Sequence, residues 1–244
     1  MNVIKTMNLT KEYKDVLAVD NLNLEIKENE LFSLLGVNGA GKTTTIKMLT
    51  GLVKATNGDA IIYGNSINEN MNDIKPLIDV SMQETAIARK LTVEENIEFY
   101  ASINGLNKEE TKTIKETLFE SFGLGSVAKK QASKLSGGWQ RKLSIALALV
   151  SKPKILFLDE PTLGLDVLAR RELWKIIKSL KDKMTIILTT HYMEEAESLS
   201  DRIGIMKDGK LLFVGSKEEL YLKTNKNNVE EAFIEIVTGG DLNA

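Results

Sequence analysis

The chain has 244 residues, of which 43% are hydrophobic and 27% charged, with a formal net charge of −2 and a pI near 5.7. That is enough apolar material for one large domain, or a domain with a subdomain, and it lacks the basic excess with which nucleic-acid binders neutralise phosphates. The absence of cysteine and the single histidine exclude disulfides, zinc clusters, thiol chemistry and a multi-histidine metal site; with no signal-like start at residues 1–6 and no apolar run of about 18–20 residues, the sequence predicts a reduced, cytosolic, soluble protein.

Short alternating segments at residues 16–19 and 22–26 predict an antiparallel β layer that residues 60–63 continue. Residues 31–35 form a continuous apolar run, the mark of a strand buried on both faces as in a parallel sheet. It leads into Gly36-Val37-Asn38-Gly39-Ala40-Gly41-Lys42-Thr43, which fits G-x-x-x-x-G-K-[ST]. A helical pattern over residues 43–52 follows, and strand before and helix after are the context that identifies a phosphate loop. The glycines let backbone N–H groups converge on phosphate oxygens at a helix N-terminus. Lys42 is placed to reach the β- and γ-phosphates and Thr43 to ligate Mg²⁺.

Residues 78–80 are strand-like, and the stretch from about 89 to 151 reads as helical throughout. Thr92 with Glu95 is a capping box for a helix running to about Asn104 and stopped by Gly105; Asn107 with Glu110 caps a second that ends near Phe122-Gly123. After a polar stretch at 129–134, a third helix is expected from Gly137 to about Ser151. The α/β pattern then resumes. Residues 155–158 are a buried strand that ends in Asp159-Glu160-Pro161. Alternation along a strand points successive side chains to opposite faces, so Asp159 is expected to hold a metal through its water shell and Glu160 to polarise an attacking water. Pro161 stops the strand. Leu173, Ile176, Ile177 and Leu180 repeat at helical spacing, residues 185–190 form another buried strand, and the lone histidine, His191, follows it. Residues 203–206 and 211–214 flank Asp208-Gly209, a hairpin signal. Ser216 with Glu219 caps a further helix, residues 223–228 are linker-like, and Val229, Phe233, Ile236 and Val237 predict one more short helix.

One string remains, Leu135-Ser136-Gly137-Gly138, a serine-glycine turn that opens a helix, with Ser136 lying 94 residues after Lys42. With the phosphate loop and the acidic strand end in this order, the chain resembles the ATP-binding subunits of ABC transporters over nearly its whole length. The resemblance implies an α/β fold, with a P-loop NTPase core of parallel sheet, an N-terminal antiparallel β layer and an inserted helical subdomain at about 89–151. The whole forms a single domain over residues 1–237 with a short tail at 238–244. It implies ATP and Mg²⁺ as cofactors, held by Gly36, Val37, Asn38, Gly39, Ala40, Gly41, Lys42, Thr43 and Thr44, with Tyr13 stacking on adenine. Thr43, Gln83 and Asp159 serve the Mg²⁺, and Glu160, His191, Lys42 and Gln83 serve catalysis, His191 by contacting the γ-phosphate. Ser136, Gly137, Gly138 and Asp166 are implied to act in trans, on the nucleotide of a second, identical or paralogous, ATP-binding subunit. The implied partner is a polytopic membrane permease, at the inner face of the cell membrane, and not nucleic acid.

Trp139 stands where the family's signature has glutamine, and Lys142 where arginine is usual; Trp139 is expected to pack on its helix. Trp139, the string His191-Tyr192-Met193-Glu194-Glu195-Ala196-Glu197 and the 229–237 tail resemble the exporter branch. A soluble relative acting on nucleic acid or ribosomes is the competing expectation; such relatives carry two ATPase units or a long coiled-coil insertion, and this chain has neither. A regulatory module without turnover is the third, although Lys42, Asp159, Glu160 and His191 are all in place.

Overall fold

The computed structural model of the chain describes residues 1–239; the remainder of the expected tail, 240–244, lies outside the described residues. Two sheets are present. The smaller contains β1 (Asn2–Tyr13), β2 (Val16–Leu22), β3 (Glu25–Lys27), β5 (Asn57–Ile62) and β6 (Asn65–Ser66), ordered β2-β1-β5-β6 with β3 also paired to β1; every pairing is antiparallel. The larger is ordered β11-β10-β4-β9-β8-β7, from β4 (Leu31–Leu35), β7 (Ile78–Ser81), β8 (Ile155–Asp159), β9 (Thr185–Thr190), β10 (Arg202–Lys207) and β11 (Lys210–Gly215). It is parallel except for the β10–β11 hairpin. That hairpin turns at Asp208 and Gly209, both at positive φ, as a type I′ turn requires.

The helices are α1 (Lys42–Leu49), α2 (Met71–Ile74), α3 (Val93–Ile103), α4 (Lys108–Phe122), α5 (Gly137–Ala148), α6 (Val167–Lys181), α7 (Met193–Leu199), α8 (Lys217–Thr224) and α9 (Val229–Thr238). The expected capping boxes at Thr92, Asn107 and Ser216 all form. Continuous apolar strands arise because the large sheet is covered on both faces. Phe32, Leu34, Ile155, Phe157 and Ile187 turn toward α1 and the small sheet. Leu31, Leu156, Leu158, Ile186 and Leu188 turn the other way, into one core with Val93, Ile97, Leu118, Leu143 and Ile177. The helical stretch at 89–151 therefore shares its apolar core with the sheet. Within it the only strand-like feature is the isolated bridge Thr92–Gln131.

Four features differ from the sequence expectation. The longest strand, β1, is missing from it: bulges near Asn8 and Lys11 shift the register with β2 and β5 and reset the inward parity, so the burial pattern eludes a period-2 reading. The segment 22–26 is not one strand, since β2 ends at Leu22 and β3 starts at Glu25. The third helix of the 89–151 stretch ends at Ala148 rather than near Ser151. The linker expected at 223–228 shrinks to the few residues between α8 and α9. There α9 buries Val229, Ala232 and Phe233 against Leu35, Ile203 and Ile205 of the large sheet.

Candidate active site

The C-terminal ends of β4, β7, β8 and β9 meet over one cavity of about 610 Å³, lined by Tyr13, Ala18, Asn38, Gly39, Ala40, Gly41, Lys42, Thr43, Thr44, Gln83, Glu160, Leu163 and His191. The carboxyl edge of an open parallel sheet is where α/β folds receive ligands. The phosphate loop supplies one wall. Gly41 caps α1 at φ 103, and a Cβ there would lie 2.4 Å from the Ala18 carbonyl oxygen, so only glycine fits between loop and small sheet. Lys42 Nζ donates to the Gly36 and Val37 carbonyls at 2.7 and 3.0 Å and stands 3.6 Å from Glu160 Oε1. Burial pushes the Lys42 ammonium below its ordinary value, and the Glu160 charge pushes it back.

Thr43 Oγ1 donates to both oxygens of Asp159, at 2.9 and 3.1 Å. Asp159 is fully buried and also accepts from Thr189 Oγ1 at 2.6 Å. The Thr43 hydroxyl, the Asp159 carboxylate and the cavity-lining Gln83 form an all-oxygen donor set of the hard type that Mg²⁺ takes, and Mg²⁺ keeps its remaining places for water and phosphate. No group of three or more acidic, histidine or cysteine side chains among the described residues is arranged to hold a metal ion by itself, so these residues fit a metal shared with a phosphate ligand and not one caged by protein alone.

Glu160 departs from Asp159 for a different reason from the one expected. Strand alternation does not separate them: β8 ends at Asp159, and Glu160 sits at φ 47, a left-handed conformation that a non-glycine residue adopts at a cost on the order of 1–3 kcal/mol. Its N–H donates to the backbone oxygen and Oγ1 of Thr189, both at 3.1 Å. The turn throws its side chain into the cavity, where Oε2 lies 2.7 Å from His191 Nδ1. A carboxylate accepts, so Nδ1 carries the proton in this pair.

The other expected site residues divide in two. Tyr13, at the end of β1 and 41% exposed, lines the cavity with Lys11 Nζ 4.8 Å from its ring. Ser136, Gly137, Gly138 and Asp166 are absent from the cavity lining. Ser136 opens α5 without using its hydroxyl as a cap. Asp166 caps α6, accepting from Leu168 and Ala169 N–H at 2.9 Å each. Trp139 packs beside the core shared by the helices and sheet, and Lys142 lies 4.5 Å from its ring and bonds Glu172 at 2.7 Å. Two positions escaped the sequence reading, Thr189 and Arg141. Their signal was a polar residue in an otherwise buried register, on β9 and on the inner face of α5.

Behind His191, Glu195 of α7 is fully buried and accepts from Trp174 Nε1 at 2.9 Å. Burial pushes its carboxyl up, outweighing the hydrogen bonds and the Arg170 charge that pull it down. A raised folded-state value means that ionisation favours the unfolded chain, so stability falls as pH rises from the unfolded carboxylate value through the folded one. Glu195→Gln keeps an acceptor for Trp174. It is expected to raise stability at pH 7 by on the order of 1 kcal/mol, with the gain vanishing below about pH 4; denaturant unfolding at the two pH values checks this.

A protein-family model described as ABC transporter matches residues 19–163. A probable multidrug ABC transporter ATP-binding protein of Escherichia coli (strain K12) is 38% identical over 245 residues, covering 98% of this chain and 42% of that protein. ABC transporter A family member 9 of Arabidopsis thaliana is 48% identical over 205 residues, 83% of this chain and 22% of that protein. The chain thus spans less than half the length of these curated relatives. Among solved structures, an ATP-binding subunit of an ABC transporter superposes with a TM-score of 0.85 at 25% identity, covering 96% of this chain and 99% of that one. A dimeric ATP-binding cassette in a post-hydrolysis state, bound to ADP and Pi, gives 0.79 at 28% identity over 87% and 98%.

Proposed function

Because the chain belongs to the ABC transporter family, as an ATP-binding domain, we propose that it binds and hydrolyses MgATP and thereby drives export through a separate membrane-spanning partner. The observation that carries the reading is the convergence, over one phosphate loop, of the Thr43–Asp159 pair and the Glu160–His191 pair. Bound MgATP supplies the phosphoryl group to be transferred to water. Around it, the loop from Gly36 to Thr44 offers its backbone N–H groups, Lys42 neutralises charge on the β- and γ-phosphates, and Tyr13 stacks on adenine. Thr43, Asp159 and Gln83 hold the metal. Glu160 takes the proton of the attacking water, and His191, oriented by its Nδ1 bond to Glu160, faces the γ-phosphate.

Ser136, Gly137, Gly138 and Asp166 serve the nucleotide of a second copy or paralogue, and residues 1–237 act as one ATP-binding domain. The dimeric relative supports this, as does the absence of these four from their own chain's cavity. Export is supported by the multidrug relative in Escherichia coli. No helix among the described residues is long and apolar enough to cross a membrane, which agrees with a separate polytopic permease holding the chain at the inner membrane face. The test is reconstitution with the polytopic membrane protein that copurifies with the chain. ATP-dependent uptake into inside-out vesicles is expected; transport only in the opposite sense, requiring a soluble binding protein, would refute export.

A further inference from the structure

Arg141 is a buried charge that the site described above does not use. It is 5% exposed, and its hydrogen bonds all go to main-chain carbonyls. Nη1 donates to Met82 at 2.8 Å, and Nη2 donates to Gln83 at 2.7 Å and to Glu160 at 3.4 Å. Burying a guanidinium without a paired carboxylate is expensive, which turns attention to what it holds.

The three carbonyls belong to two neighbouring strand ends. Met82 and Gln83 continue β7, Glu160 follows β8, and β7 and β8 pair in parallel with Ser81 opposite Leu158. The side chain that bridges them comes from neither strand. It comes from α5, the helix that Ser136 opens, one turn before Ser144, whose Oγ lies 3.0 Å from Ser81 Oγ. One planar fork thus joins the loop carrying Gln83, the turn carrying Glu160 and the helix carrying the serine-glycine turn. We propose that Arg141 is a positioning residue, fixing the spacing of Gln83 and Glu160 across the cavity and making both move with α5. The proposal rests on the ATPase reading above. It also requires a fork: a lysine ammonium keeps the charge but is a point donor on a shorter reach, unable to serve both strand ends.

A double-mutant cycle on the full chain tests this. Arg141→Gln is expected to lower kcat about ten- to a hundredfold, the size of loss a misplaced site produces, with KM for ATP changed less than about threefold. In a Gln83→Ala background the same substitution is expected to cost several-fold less than in the wild type, because the share acting through Gln83 is already lost and only the share acting through Glu160 remains. Arg141→Lys is expected to fall with Arg141→Gln, and it carries the same cycle if the glutamine variant does not fold. Equal costs in both backgrounds, a lowered melting temperature with unchanged kcat, or full activity in Arg141→Lys would each overturn the proposal and leave the ATPase reading standing. A wild-type chain without ATP turnover would overturn both.

Discussion

Glu160→Gln is expected to slow MgATP hydrolysis by about 10²- to 10⁴-fold, the usual contribution of a positioned general base, while ATP still binds. The argument lies in how little else the substitution touches. The conformation of residue 160 is held by its own N–H, bonded to Thr189, and that bond survives the change. The amide matches the carboxylate in shape. It removes the charge facing Lys42 at 3.6 Å and leaves only a neutral carbonyl oxygen to accept from His191 where the carboxylate stood at 2.7 Å, and it cannot take a proton from water. Nucleotide contacts from the phosphate loop remain, so bound ATP persists and the closed dimer accumulates. Equilibrium binding, a phosphate-release assay and gel filtration with ATP measure the three consequences together. Hydrolysis at the wild-type rate would sink the assignment of Glu160 as base.

The parts of this site that the sequence disclosed are those whose chemistry is bound to a local string. Gly36 to Thr43 announces its own geometry, since a strand, a glycine turn and a helix start admit few arrangements. The run into Asp159 and Glu160 is similar: the four buried apolar residues of β8, Ile155 to Leu158, leave nowhere for an acid except the strand end. The capping boxes at Thr92, Asn107 and Ser216 are equally local, each complete within four residues. What stayed hidden depends on contacts between distant segments. Thr189 matters because parallel pairing sets it opposite Asp159. Arg141 matters because α5 lies on β7, and from its own helix it reads as one more cation. The left-handed turn at Glu160 was masked because alternation gave the same outcome, two carboxylates pointing apart, by another route. β1 escaped for the opposite reason: its bulges break the one local pattern by which a strand is recognised.

The largest qualitative effect is expected from mixing two inactive variants. Lys42→Ala removes the phosphate cation. Gly137→Glu places a carboxylate at the start of α5, where an added Cβ meets nothing within 4 Å and an acid suits the helix dipole, so the chain folds while its charge repels a phosphate. Each variant alone is expected to lose about 10²-fold or more in hydrolysis, as removal of an electrostatic contact at the reacting group does. In a two-fold dimer that shares its sites, the mixed pair gathers both defects at one nucleotide and leaves the other site intact. Half the pairs in an equal mixture are mixed, so about a quarter of the wild-type rate returns. The converse arm uses one chain carrying both changes. Paired with wild type it spoils both sites, and adding it in excess is expected to suppress the wild-type rate. The basis is the geometry of the single chain: the cavity is lined by the phosphate loop, Gln83, Glu160 and His191, and by none of Ser136, Gly137, Gly138 or Asp166. If the mixture stayed inactive and the double variant left wild type untouched, both halves of the site would have to lie within one copy, and the separation of 94 positions from Lys42 to Ser136 would have to be bridged by a rearrangement of α5 against β7 that the Arg141 and Ser144 contacts oppose.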